Sequence, residues 1–118
     1  MVEPRRQELE RLYREAVTVA DRARGWFDGP GARWRAGLSP DNQALVATES
    51  LAATSRLMAS MSWLLDPSHA VEGAPLPPFS GDTGGTVPAL FTGTPGEAII
   101  IASRHIAARI AALSQESA

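Results

Sequence analysis

The chain contains no cysteine and no lysine. Without cysteine there is no disulfide framework, no thiolate metal ligand and no thiol nucleophile. Without lysine there is no Walker-A phosphate loop, no Schiff-base or pyridoxal lysine, and no amine to carry biotin or lipoate. All 11 basic residues are arginines. Histidine occurs only at His69 and His105. A zinc site takes about four ligands, so two histidines would need carboxylates beside them. Both read as ordinary loop and helix-surface residues, and no metal or cofactor is expected. No apolar run approaches the roughly 18–20 residues of a membrane span. The first ten residues are charged and lack the apolar segment of a secretory signal. The expectation is a soluble, cytoplasmic protein with no membrane partner. No nucleophile elbow appears, and an enzyme is the least expected class.

What is present is compact. The chain has 118 residues, one domain's length, enough to bury roughly two-thirds of its unfolded surface. Twenty residues are alanine, and the formal net charge is −2. That charge is unevenly spread. Residues 1–35 hold 8 arginines against 6 acids, whereas residues 36–90 hold Arg56 against Asp41, Glu49, Asp66, Glu72 and Asp82. A net-acidic chain is not a nucleic-acid binder by composition.

The pattern predicts an all-α protein, a three-helix bundle with a long Pro/Gly-rich linker between the second and third helices. The first helix covers about residues 4–27. Pro4 suits its first turn. Leu9, Leu12, Tyr13, Ala16, Val17, Ala20, Ala23 and Phe27 recur at spacings of three and four. Glu10 and Arg14 are placed as an i,i+4 pair. Asp28-Gly29-Pro30-Gly31 stops the helix, and residues 28–38 read as a loop. The second helix covers 40–65, with Ser39 as N-cap, Pro40 at its first position and Asp66-Pro67 as its end. The third covers 95–114, opened by Thr94 and Glu97 as a capping box. Its inner face is Ile99, Ala102, Ile106, Ile110 and Leu113.

Linker 66–93 is longer than most structureless loops in compact domains. Leu76, Phe79, Val87, Leu90 and Phe91 are spaced like anchors that pin it to a core; the alternative is a mobile or partner-binding segment. Ser80-Gly81-Asp82-Thr83-Gly84-Gly85 lacks a preceding strand and a lysine, so it reads as linker rather than phosphate loop.

The helices differ sharply in charge. Arg5 to Phe27 contains 10 charged residues, while Gln43 to Leu65 contains Glu49 and Arg56 alone. An outer helix of a bundle should show a polar face. On the second helix the stripe Leu51, Met58, Leu65 can face the core. A second stripe, Val46, Ala53, Leu57, Leu64, then points elsewhere. Three helices offer too few partners to cover both, so a homodimer through the second helix is expected, two-fold pairing being the commonest closed solution. A plain Ala/Ser surface on a monomer is the alternative.

Glu49, Arg56 and Trp63 stand seven residues apart, about 10 Å of helix rise, so Glu49 and Arg56 cannot pair along it. They read either as inter-helix ion partners with Trp63 in the core, or as a protein-binding stripe. Arg33-Trp34-Arg35 interleaves base and aromatic, as nucleic-acid sites do, but spans three residues. Trp34 reads as a cap on the bundle end or as a partner contact.

One stretch resembles a known family. Glu49-Ser50-Leu51-Ala52-Ala53-Thr54-Ser55-Arg56-Leu57-Met58, followed by Ser62-Trp63-Leu64-Leu65, is similar to the E-S-x-R-x-T-x-R-L-M…S-W-L-L block of a small alphaproteobacterial family that includes the regulator of CtrA degradation. Phe27-Asp28-Gly29, Leu38-Ser39-Pro40 and His69-Ala70-Val71-Glu72-Gly73 resemble its flanks. Ala52 stands where that family has its first arginine, and Pro67 interrupts a helix that usually continues. The resemblance implies a three-helix bundle without catalysis and an adaptor that helps hand cell-cycle regulators to the ClpXP protease. Its partner would be a ClpXP-linked response regulator or cargo protein. Arg56, Leu57 and Met58 are where the motif is intact.

Overall fold

A computed structural model describes residues 4–71, 73–82 and 85–116. Glu72, Thr83 and Gly84 of the linker lie outside them. The described residues are helical, with no strand among them: α1 (Pro4–Asp28), α2 (Pro30–Ala36), α3 (Pro40–Leu65) and α4 (Pro95–Glu116), plus 3₁₀ turns at Pro67–Ala70 and Ala89–Phe91. The long helices α1, α3 and α4 pack together in a body 52 Å long and about 20 Å across.

The element count corrects the expected three-helix bundle. Residues 28–38 are not all loop, because α2 occupies most of them. Pro30 begins α2 at a position where its missing N–H costs nothing. The break from α1 depends on Gly29, where a Cβ would lie 2.6 Å from the Gly25 carbonyl oxygen. The chain therefore stops and restarts a helix within two residues.

At the start of α3, the Ser39 hydroxyl accepts the Asn42 N–H, and Pro40 is the first helical residue. Its end falls at Asp66, before Pro67. Before α4, the Thr94 carbonyl accepts the Glu97 N–H, while the Thr94 hydroxyl donates to the Phe91 carbonyl at 2.7 Å. That hydroxyl thus ties the helix start to the preceding 3₁₀ turn. On α1 the ion pairs are Arg11 with Glu8 and with Glu15; the expected Glu10–Arg14 pair is not among those of the described residues.

The main core joins Leu9, Leu12, Ala16 and Val19 of α1 to Leu57 and Leu64 of α3 and Ile99, Ile106 and Ile110 of α4. A second cluster at one end gathers Val46, Phe91 and Ile100, with Trp26, Trp34, Leu38, Val87 and Leu90 around it.

The orientation of α3 corrects a second expectation. Val46, Ala53, Leu57 and Leu64 are buried. Leu51, Met58 and Leu65 face outward, with 68%, 63% and 59% of their surface exposed. Both stripes are apolar, so hydropathy could not choose between them. The choice goes to the side carrying Ala53 and Ser60, both fully buried, because small residues let neighbouring helices approach.

The linker is a strap laid on the helices. Leu76 and Phe91 are buried, and Phe79, Val87 and Leu90 are partly buried against the two clusters. Three arginines hold its backbone. Arg5 Nη1 donates to the Val71 and Ala74 carbonyls, Arg56 Nε to that of Asp82, and Arg104 Nη1 to that of Gly85.

Candidate protein-interaction surface on α3

Helical geometry assigns α3 two opposite characters. On the inner side, Arg56 is almost wholly buried. Its Nη1 donates to Ser103 Oγ on α4 at 2.8 Å, and its Nη2 reaches Asp82 Oδ2 on the strap at 2.9 Å. Ser103 Oγ in turn donates to the Ile100 carbonyl, and Ser60 Oγ donates to the Arg56 carbonyl, both at 2.8 Å. The buried polar groups of Arg56, Ser60 and Ser103 are thus matched, as a low-dielectric interior requires, whereas Trp63 Nε1 and Arg104 Nε on the same face are buried without a hydrogen-bond partner among the described residues. Glu49, one turn-pair earlier, lies 3.8 Å from Arg104 of α4. The Trp63 ring lies tilted against His69 with ring centres 4.4 Å apart and meets Phe79 edge-on at 6.3 Å. His69 Nδ1 lies 2.7 Å from the Trp63 carbonyl.

Glu49, Arg56 and Trp63 therefore do lie along one side of α3, the side facing α4 and the strap. They do not converge on one point. Glu49 and Arg56 have ionic partners within the fold, and Trp63 is partly covered. Leu57 is buried in the main core. Trp34 is half-buried at the bundle end, tilted against Trp26 and Phe91 with ring centres 5.6 Å from each. Of the six singled-out residues, Met58 alone is open to solvent.

The outer side of α3 is a continuous arc: Ala44, Ala47, Thr48, Leu51, Thr54, Ser55, Met58, Ala59, Ser62 and Leu65, all exposed and none charged. Leu51, Met58 and Leu65 repeat every seven residues, the spacing of a coiled-coil seam. Beside it runs a groove of about 330 Å³ between α1 and α3, walled by Phe27, Ser50, Thr54, Leu57, Met58 and Met61. Arg24 and Asp28 stand at its α1 edge. The sequence allowed all of Leu51, Met58 and Leu65 to face the core, and marked Met58 only through the family motif. Their heptad spacing on a helix without charged neighbours was the available signal.

Electrostatic pairing elsewhere serves the fold. Arg109 of α4 donates through Nε to Glu8 of α1 at 3.0 Å. Partial burial pushes the Glu8 carboxyl up, but hydrogen bonds from Arg109 and Arg11, with their positive charges, outweigh it and hold Glu8 below the usual carboxylate range. The Asp66 carboxyl is lowered by the Ser68 hydroxyl and N–H that bond to it. Among the described residues, no three His, Cys, Asp or Glu side chains are grouped to hold a metal ion. No helix among them is long and apolar enough to cross a membrane.

The model of a family described as a protein of unknown function (DUF1465) matches residues 3–77. The chain belongs to this family. The DUF1465 match takes in α1, α2, α3 and the first part of the strap, and so includes both the buried Arg56 and the exposed arc. α4, which supplies Ser103 and Arg104, lies beyond it. The DUF1465 description assigns no activity and makes no reference to CtrA degradation. No curated protein and no solved structure matches the chain.

Proposed function

We propose that this DUF1465 protein is a non-catalytic protein-interaction domain whose docking surface is the uncharged outer arc of α3. The observation that carries this reading is the trio Leu51, Met58 and Leu65, each more than half exposed on one stripe. Covering a large apolar side chain is worth about 1.5–3 kcal/mol, so such a stripe favours a partner that covers it. The similarity of Glu49–Leu65 to the regulator of CtrA degradation block extends the proposal to an adaptor that helps deliver cell-cycle regulators to ClpXP. Affinity capture from native lysate tests it. The wild type is expected to retain a response regulator or protease component that a Leu51→Asp/Met58→Asp variant loses. Unchanged half-lives of the cell-cycle regulators in a deletion strain would remove the adaptor role.

A second reading is a homodimeric helical module without a proteolysis role. It is favoured by the lack of charge on the arc, which leaves nothing to repel an identical copy. About a two-fold axis at Thr54–Ser55, Leu51 of one copy would lie beside Met58 of the other, and Leu65 over Ala44. Light scattering separates the readings: two protomers support the dimer, and one protomer at high concentration excludes it.

A further inference from the structure

A further groove lies away from α3, between the end of α1, the start of α2 and the first turns of α4. It is an open cleft of about 440 Å³, within the range of small-molecule sites. Val19, Trp26, Ala98, Ile99 and Ala102 give it apolar walls, and Arg22 is the one charged residue lining it. Arg22 is exposed and forms no hydrogen bond or ion pair among the described residues.

The walls are pre-formed. A Cβ at Gly31 would come within 2.8 Å of the Trp26 ring, and one at Gly96 within 2.6 Å. Trp26 is therefore seated between two backbones and also packs against Phe27 and Trp34. Gly25, on the same wall, has nothing within 4 Å of its would-be Cβ. Glycine inside a helix costs about 1 kcal/mol relative to alanine. Here it leaves the groove wider than any side chain would.

We propose that this groove binds a single-chain amphiphilic carboxylate, a fatty-acid anion. The acyl chain would lie between Trp26 and Ile99 with the carboxylate at Arg22. A peptide occupant would bring backbone N–H and C=O groups that need partners. Side chains lining the groove offer such groups only at Arg22 and, if the indole N–H is reached, Trp26. One aliphatic chain with one anionic head meets both the apolar walls and the single cation.

Calorimetric titration with octanoate, decanoate and dodecanoate, kept below their micelle concentrations, tests this. Affinity is expected to rise about fourfold per methylene, with dodecanol binding more weakly than dodecanoate. Arg22→Ala should weaken dodecanoate about tenfold and leave dodecanol unchanged. Ala98→Trp, at an exposed position, should plug the groove and abolish binding, with the helical circular dichroism of both variants retained. Binding that survives Ala98→Trp but is lost in Leu51→Asp/Met58→Asp would place the lipid on α3 and overturn the proposal. So would no dodecanoate binding at all, or an acidic amphipathic peptide binding the groove where dodecanoate does not. The α3 docking role stands or falls separately, since its variant leaves this groove intact.

Discussion

Replacing Arg56 tests whether the inner face of α3 is structural. The guanidinium makes one buried, charge-assisted hydrogen bond to Ser103, a type worth about 1.5–3 kcal/mol. Its bonds to Asp82 are worth less, because the Asp82 side chain is 65% exposed and water competes there. Removal does not orphan either partner: Ser103 keeps its bond to the Ile100 carbonyl, and Asp82 faces solvent. The large penalty of leaving a buried charge unpaired therefore does not arise. Arg56→Ala also deletes a buried stem of methylenes and leaves a cavity. We expect Arg56→Ala to cost about 3 kcal/mol and Arg56→Met, which refills the stem, about 1 kcal/mol. Asp82→Ala leaves the buried Arg56 guanidinium without its carboxylate, so it should cost more than an exposed pair is worth, about 1–3 kcal/mol. Urea unfolding with unchanged m-values provides the measurement, and Arg56→Ala should lower Tm by about 10 °C. An Asp82→Ala cost near zero would refute the reasoning, because the buried guanidinium would then need no counter-charge. A cost below about 0.5 kcal/mol for Arg56→Ala would do so as well.

Other consequences follow from burial and charge. Phe91 is fully buried where the strap meets α4, so Phe91→Ala should cost about 3–5 kcal/mol in urea unfolding and raise amide exchange in the preceding strap. Leu51→Asp and Met58→Asp, on an exposed face, should change unfolding free energy by under about 0.5 kcal/mol while abolishing association measured by light scattering or capture. Glu8 titrates below its unfolded value, so its stabilising effect is present above about pH 4.3 and is lost as pH falls through the folded value. Glu8→Gln should therefore be less stable than wild type by up to about 1 kcal/mol near neutrality. The two unfolding curves should converge in acid.

Local chemistry made the long helices legible. Pro40 and Pro95 are first helical residues, Ser39 caps, and Asp66-Pro67 stops, because proline and short polar side chains act within a turn or two of their own position. The strap anchors were legible for a similar reason, since isolated large apolar residues in a Pro/Gly-rich stretch have few uses except burial. The α2 helix was missed because Gly29 and Pro30 signal a stop as strongly as they permit a restart. The partners of Arg56 were not legible at all. Ser103 is 47 residues away, and Asp82 comes from a segment whose path no local rule dictates.

The orientation of α3 is the consequential miss, and it bears on function. Hydropathy alone assumes that charge turns outward and large apolar side chains inward. Asp41 in the first turn of α3 is exposed, but the two charged side chains along its length, Glu49 and Arg56, turn inward to α4 and the strap, with 16% and 1% of their side-chain surface exposed. The helix can bury them because α4 and the strap supply a cation, a carboxylate and a hydroxyl at the matching heights. Turning that side in forces Leu51, Met58 and Leu65 out, on a different side of the same helix. The exposed stripe is thus tied both to the buried side of α3 and to its ion pairs: rotating the helix to hide the stripe would expose Leu57 and Leu64 and leave Arg56 unpaired. Only a second surface can cover it, which is the physical ground, independent of any resemblance, on which the docking role is proposed. Because Ala53, Leu57 and Leu64 hold the same rotation, Arg56→Met, which removes one inward charge and keeps Glu49, should leave the outer arc and its association unchanged.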